Sequence, residues 1–434
     1  MKQVEFSTIK GYQNFILGSH MVLAHTLEDF FSADVSFEFN PIRRYDGGIC
    51  SIKSNTKRNV YMVSDDHILL LCCVMLGQYS YYLGISLKAK KIGVSHNGRI
   101  FNSVASCVSE SLLKASENHF KNSLDLFGER LIILVIARFA SHFLYNESKI
   151  RYLVDYFNAL RSTTFEGKYF STGLILTRSL FDYKKRLEDG VVMYLNASKR
   201  LSDRIDSRYW YLVNGNSSYY LTDAKSEIHY MYVFGSLYQN TINQTLMVES
   251  LHRRDIMFRT NNGRELSVIV SKGIEFIYQE NVWRYRDYQW IKNVIREEIQ
   301  LSDDVYNAIL FYVLYCSKND TSSIIWIPKN EAKIGELLKT SHTVSRKPFK
   351  IFDSQYDGLI KRFLSSDGAT VICQDGTVKY YGCIIKMEVK DTNAVKGTGE
   401  TAASRLASNG IAIKISQDGT IKIFLNDKSK IIKF

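Results

Sequence analysis

The chain has 434 residues, of which 45% are hydrophobic, 13% aromatic and 23% charged, with a formal net charge of +12. This composition excludes a disordered chain and gives room for two or three domains with full cores. The basic excess favours an anionic partner: nucleotide phosphates, nucleic acid or an acidic protein.

Three prolines, Pro41, Pro328 and Pro348, leave no proline-rich linker, so closely packed domains are expected. The seven cysteines, Cys50, Cys72, Cys73, Cys107, Cys316, Cys373 and Cys383, form no Cys-x-x-Cys pair and mostly sit in apolar runs. They read as reduced core thiols of a cytoplasmic protein. Met1-Lys2-Gln3-Val4-Glu5 lacks the basic start and apolar core of a secretion signal. The run Ile68 to Leu87 is uncharged, but Gln78-Tyr79-Ser80-Tyr81-Tyr82 interrupts it with polar groups. It fits a buried helix or strand better than a membrane span, and no membrane partner is expected.

Residues 1–161 read as a mixed α/β region of sensor or regulatory type. Helical spacing runs from Tyr12 to Phe31, and Val60-Tyr61-Met62-Val63 reads as a strand. Ala115 to Leu160 is the longest helical stretch: Leu131, Val135, Phe139 and Phe143 recur at i+4, and Ile150, Leu153, Val154 and Phe157 continue the stripe. His20, His25, His67, His96, His119 and His142 lack a metal-ligand spacing such as His-Glu-x-x-His and read as surface or core residues.

Residues 162–287 read as a β-rich module. Its strands are expected at Gly173–Leu176, Val191–Leu195, Tyr209–Val213, Ser218–Leu221 and Ile228–Phe234, with a hairpin of Leu266–Val270 and Ile274–Tyr278 closed at Ser271-Lys272-Gly273. Interleaved aromatics and Arg253, Arg254, Arg259 and Arg264 admit a base-stacking surface for nucleic acid. The commoner arrangement of such strands puts tyrosines in the core and charges outside.

Residues 288–434 hold the motifs that carry chemistry. Trp290 begins a helix, Ser302-Asp303-Asp304 signals the N-cap of a second, and Ser323–Ile327 reads as a strand ending at Pro328. Thr370–Cys373 and Thr377–Tyr381 flank Asp375-Gly376, and Ile411–Ser416 and Thr420–Phe424 flank Asp418-Gly419; two hairpins of one sheet are expected. Between them Gly397-Thr398-Gly399 leads into Glu400–Ser408, a short helix whose N-terminus would turn backbone N–H groups and a positive dipole end toward a phosphate.

Asp367-Gly368-Ala369 before the first hairpin, and Lys396-Gly397-Thr398-Gly399-Glu400-Thr401-Ala402-Ala403 opening the helix, resemble in spacing, order and flanking hairpins the diadenylate cyclase (DAC) domain family. The resemblance covers about Gln289 to Phe424. That family condenses two ATP molecules into cyclic di-AMP, with an Asp-Gly-Ala motif and a Gly-Thr-Arg-His-Arg-Ala-Ala motif. Here the first is intact, while Gly399, Glu400 and Thr401 stand where the second has Arg-His-Arg. The resemblance implies an α/β fold, in the mixed α+β sense, with a central mixed sheet flanked by helices.

It also implies a site. Asp367 would bind Mg or Mn and assist the 3′-hydroxyl, with Glu400 as a second metal-binding carboxylate. Gly368, Ala369, Gly397, Thr398, Gly399, Thr401 and Arg405 would contact the nucleotide. The partners would be ATP or a cyclic dinucleotide and a second copy of the chain, dimerised face to face. Each charge-assisted phosphate contact is worth about 1.5–3 kcal/mol, so Lys396, Arg405 or Lys361 would have to replace the missing cations. The basic segments Ser345-Arg346-Lys347 and Lys361-Arg362 are candidates to lie near the phosphates. The altered motif motivates a second reading, a catalytically inactive relative that senses a nucleotide or cyclic nucleotide.

Overall fold

The computed structural model describes residues 21–38, 60–63, 67–76, 79–88, 98–117, 124–141, 146–178, 190–201, 206–223, 226–234, 251, 254–270, 273–344, 348–387, 397–426 and 431–433. The fold is mixed α/β, with helices packed against several sheets.

Residues 21–31 form helix α1, which buries Leu23, Leu27, Phe30 and Phe31. Strands β1 (Val35–Glu38), β2 (Val60–Val63), β3 (His67–Leu76) and β4 (Tyr79–Lys88) make an antiparallel sheet in the order β1-β4-β3-β2. The uncharged run Ile68 to Leu87 is therefore a pair of antiparallel strands, registered from His67 opposite Lys88 to Leu76 opposite Tyr79. Among the described residues no helix is long and apolar enough to cross a membrane.

Three helices follow: α2 (Gly98–Glu117), α3 (Leu124–Ser141) and α4 (Glu147–Arg161). The expected single stretch from Ala115 divides, because the Asn146 side chain accepts the Ser148 N–H at 2.8 Å and starts a new helix there. Leu131, Val135, Phe139, Ile150, Leu153, Val154 and Phe157 are buried as the stripe requires. Phe143 lies outside the described residues.

After the small hairpin β5 (Thr164–Phe165) and β6 (Lys168–Tyr169), the second segment builds an eight-stranded sheet. It comprises β7 (Thr172–Leu176), β8 (Gly190–Arg200), β9 (Ser218–Thr222), β10 (Glu227–Phe234), β11 (Ile256–Asn261), β12 (Glu265–Val270), β13 (Ile274–Gln279) and β14 (Val282–Asp287), in the order β14-β13-β12-β11-β7-β9-β10-β8. The expected strand at Tyr209–Val213 is instead a short helix, α5 (Ser207–Tyr211): Asp206 accepts the Arg208 N–H at 2.9 Å, and this cap outweighs the β-preference of the aromatic run.

Residues alternate along these strands and feed two cores. Phe258, Val268, Phe276 and Tyr285 face α1 to α4, and Leu221, Met257 and Ile269 face the third segment. The expectation of charges on the outside fails on the second face, where Arg259, Glu265, Glu275 and Arg286 are all buried.

Helices α6 (Tyr288–Glu298) and α7 (Asp303–Lys318) pack beneath that face. The Ser302 hydroxyl accepts the Val305 N–H and caps α7 as its sequence signals. On their other side lies a seven-stranded mixed sheet. It comprises β15 (Ser323–Pro328), β16 (Leu338–Thr343, preceded by the single turn α8, Ile334–Leu337), β17 (Ala369–Ile372, preceded by α9, Asp357–Leu364), β18 (Val378–Ile385), β19 (Gly410–Ile415, preceded by α10, Thr398–Leu406), β20 (Ile421–Phe424) and β21 (Ile431–Lys433). The order is β16-β18-β17-β15-β19-β20-β21; β15 is central, parallel to β17 and antiparallel to β19. Both expected hairpins are present and belong to this one sheet. Its outer face is covered by α8 through Ile334 and Leu337, by α10 through Ala403 and Leu406, and by Ala407 in the 3-10 turn that follows α10.

Candidate functional site

The turn from α9 into β17 is held by serine and threonine hydroxyls. Ser365 donates to Arg362 O at 3.0 Å, Ser366 to Phe363 O at 2.6 Å, and Thr370 to Phe363 O at 3.3 Å. These bonds close the helix end and present Asp367 at the head of β17, exposed, with its Oδ1 accepting the Gly368 N–H at 2.9 Å. Gly368 has φ +92°, and a Cβ there would lie 2.6 Å from Cys383 O. Only glycine fits, so the chain beside Asp367 runs flush against β18. Ala369 is fully buried, opposite Ile324 on β15 and Cys383 on β18.

Strand β18 shifts register between its pairings with Ala369 and Val371, and Gly382 there has φ +57°. A Cβ at Gly382 would lie 3.3 Å from the His342 ring and 3.5 Å from Asp367 O, which brings β16 to the same corner. Tyr381 stacks on Phe363 with centroids 4.4 Å apart, and His342 lies 5.5 Å from Tyr381 on the centroid measure. The Asp367 backbone thus shares this corner with Gly382 of β18.

Helix α10 starts at Gly397, which has no side chain to cap it. Its first turn closes on Gly397 O, which accepts the N–H of Glu400 at 3.0 Å and of Thr401 at 3.1 Å, and the Thr401 hydroxyl at 3.2 Å. Gly397 and Thr398 are exposed.

The first turn of α10 lies over the ends of β19 and β20. A Cβ on Gly399 would touch Lys414 Cε at 2.9 Å, and Glu400 is ion-paired with Lys422. Ile324 pairs with Ala369 and with Lys414, so the head of β17, the start of β15 and the end of β19 share one edge of the sheet. Two interstrand spacings, about 10 Å, separate β17 from β19. Asp367 and the α10 N-terminus therefore flank the same edge.

Lys414 and Lys422 are directly opposite in the β19–β20 ladder. Two like charges so placed repel, and Glu400 together with the oxygens around Lys414 offsets that: Lys414 Nζ donates to Ser322 Oγ at 2.6 Å and to Ile415 O at 2.7 Å. Burial pushes the Lys414 ammonium below the usual lysine range, against the pull of Glu400 and Asp418. Sequence reasoning missed this pair, although both lysines sit at matching places in successive strands about an Asp-Gly turn. His342 had no comparable signal.

Several expected contacts change. Arg405 is in the last turn of α10, about 10 Å along the axis from its N-terminus at 1.5 Å per residue. It is therefore at the wrong end of the helix to replace a first-turn cation. Lys361 is bound to Asp357 at 2.5 Å and lies 4.6 Å over the Tyr315 ring. Glu400, expected beside the metal, is held over β20, three strands from the one that Asp367 precedes. Lys396 and Ser345-Arg346-Lys347 lie outside the described residues. Of the four arginines of the candidate stacking surface, Arg259 is buried against Glu265 at 2.9 Å, Arg264 is exposed and paired with Asp320 at 2.6 Å, Arg254 is exposed, and Arg253 lies outside the described residues.

Among the described residues no three His, Cys, Asp or Glu side chains gather as a protein-only metal cage would. A magnesium-type ion needs fewer, because it is commonly held by one or two carboxylates with phosphate oxygens and water. The exposed Asp367 carboxylate fits that mode.

No family model and no curated protein matches the chain. Among solved structures it is similar to a hypothetical membrane spanning protein from Bacillus cereus, at 15% identity over 33% of this chain and 68% of that one, with a TM-score of 0.26. A likeness of that size carries no argument about fold or function.

Proposed function

We propose that residues 288–434 form a DAC-like nucleotidyltransferase that condenses two ATP molecules into a cyclic dinucleotide, cyclic di-AMP, across a face-to-face dimer. The observation that carries this reading is the convergence of Asp367-Gly368-Ala369 and the uncapped N-terminus of α10 on one edge of the seven-stranded sheet. Each of the two condensations joins a 3′-hydroxyl to the α-phosphate of the other ATP, breaks the α–β anhydride bond and releases pyrophosphate, so the nucleophile and the triphosphate must be held in line and the phosphate charge offset.

Asp367 accepts the hydroxyl proton, while Gly368 and Ala369, packed against β18 and β15, fix the backbone that presents it. Gly397, Thr398 and Gly399 meet phosphate through N–H groups, with the Thr398 hydroxyl beside them. Lys414 and Lys422 supply cationic charge in place of the family's Arg-His-Arg. Mg or Mn, held by Asp367 and phosphate oxygens, would neutralise charge on the triphosphate. The location is cytoplasmic, and residues 1–287 regulate the site.

A second reading is favoured by one observation, the Glu400–Lys422 ion pair, which places a carboxylate where the family has cations. On that reading the site binds a nucleotide or cyclic nucleotide without turnover. Incubating the full chain with ATP and Mn, with chromatography for cyclic di-AMP beside Asp367→Asn, separates the two. Product that disappears in the variant supports the cyclase; no product, with ATP or cyclic di-AMP raising the melting temperature, supports the sensor. Neither product nor a thermal shift ends both.

A further inference from the structure

The contact between the eight-stranded sheet and α7 is apolar over most of its area, where Leu221, Met257 and Ile269 meet α6 and α7. At one end it changes character. Arg259 (β11), Glu265 and Ser267 (β12), Glu275 (β13) and Arg286 (β14) project from the same face and are all buried. Glu265 Oε1 lies 2.9 Å from Arg259 Nη2, 2.7 Å from Ser267 Oγ and 3.2 Å from Nζ of Lys318, the last residue of α7. Glu275 Oε1 is 2.7 Å from the same Ser267 hydroxyl, and its Oε2 accepts from Tyr288 and lies 3.9 Å from Arg286 Nη1. Tyr219 on β9 completes the surroundings of Arg259. Three cations thus face two carboxylates.

Beside Lys318, Ser317 Oγ donates to Gly419 O at 2.5 Å. Gly419 has φ +75°, and a Cβ there would lie 2.9 Å from Ser317 O and 3.2 Å from Gln279 Nε2, so α7 and β13 both seat against this turn. The turn leads into β20, whose Lys422 holds Glu400 in the first turn of α10. Farther along the connection from α7 to β15, the Ser322 hydroxyl receives the Lys414 ammonium.

We propose that the buried cluster around Lys318 is a joint through which the eight-stranded sheet sets the position of the Gln417–Gly419 turn and the first turn of α10. Apolar packing alone would hold the two layers together. Buried ion pairs add little to stability relative to apolar residues, yet breaking one leaves an uncompensated charge in a dry site. The cluster is therefore either closed or broken, and its state is passed to the turn by Ser317 and Gln279. Regulation of nucleotide binding by this joint rests on the function proposed above; the mechanical linkage does not.

The joint also responds to protons. Burial and the nearby Arg259 push the Lys318 ammonium down to about 8, against the attraction of Glu265 and Glu275 and with further repulsion from Arg286. Because the folded value lies below the usual lysine value, the unfolded chain holds this proton more firmly. Stability from this group rises as pH increases from about 8 toward the usual lysine value of about 10.4. Losing the proton leaves two cations facing two carboxylates.

The test is hydrogen exchange on the full chain without nucleotide, corrected for intrinsic base catalysis. Between pH 7 and 9 the wild type should gain at least threefold protection at residues 416–420 and 398–402. Lys318→Met, balanced at every pH, should show the high-pH protection already at pH 7. Glu265→Gln should lose at least tenfold at the same two segments, and adding Ser317→Ala should confine the loss to β11–β14 and α7. Protection at the turn and α10 that ignores pH, Lys318→Met and Glu265→Gln alike would overturn the joint. If Glu265→Gln does not fold, the pH profiles of wild type and Lys318→Met still decide. A separate ATP titration reports on the nucleotide reading, so a joint without ATP binding and ATP binding without a joint give different results.

Discussion

Lys414 fills the space that a side chain on Gly399 would need: its Cε would be 2.9 Å from a Cβ there. On the proposed function, this cation from β19 stands in for the arginine that the resembled motif has at position 399. Gly399→Ala should displace the lysine head and weaken ATP binding about threefold. Protein stability should change by less than about 1 kcal/mol, since alanine favours the helix and the displaced atoms are the flexible end of a side chain. Arg405→Gln, at the other end of α10, should leave affinity within about twofold on the same titration. A larger effect of Arg405→Gln than of Gly399→Ala would show that the lysine is not the substitute.

Glu400 is ion-paired with Lys422, so on the proposed function it competes with phosphate for that lysine. Glu400→Gln should tighten binding of inorganic pyrophosphate roughly three- to tenfold at low salt, with the gain shrinking as salt rises. Lys422→Met should weaken it by a similar factor. Calorimetry at two ionic strengths measures both, and an unchanged affinity in each variant removes the pair from the site.

Gly368→Ala combines an unfavourable φ with a contact against the Cys383 backbone. A destabilisation of at least about 1–2 kcal/mol is expected in chemical denaturation. Asp367→Asn, on an exposed side chain, should stay within about 0.5 kcal/mol. Comparable losses in the two variants would contradict the division between a structural glycine and a functional aspartate.

Burial pushes the thiols of Cys316, Cys373 and Cys383 up to about 12; at Cys373 the neighbouring Glu331 adds to it. An acid whose folded value is raised stays protonated while the unfolded chain ionises, so stability from these groups falls as pH rises above about 9. In the folded chain at pH 8 the three should alkylate at least a hundredfold more slowly than in denaturant, read by mass spectrometry. Rapid labelling of Cys383 would mean that β18 opens beside Asp367.

Elements whose period matched their burial were legible. The hairpins about Asp375-Gly376 and Asp418-Gly419, the Ser302 cap and the stripe through Leu131 and Phe157 needed only local rules. Tyr209–Val213 misled because a cap at Asp206 decides a short segment more strongly than aromatic content. The two motif positions were visible in the sequence, but the lysines beside α10 were not: Lys414 and Lys422 reach it only through strand register, whereas Arg405, near in sequence, lies in the last turn of the helix. Buried charges in β11 to β14 follow strand alternation faithfully, and what covers that face is set by helices outside the segment.

Strand β15 is buried at all six positions and pairs on both sides with strands made later: Trp326 meets Val371 on one edge and Ala412 on the other. During synthesis its two edges wait for partners, the second until Gly410–Ile415 has emerged, on the order of ten seconds at ordinary elongation rates. For that interval an apolar, β-branched segment is available to any neighbouring strand. Chains that stop before Gly410 should accumulate as aggregates, and yield in cells should depend on chaperones that shield the emerging chain.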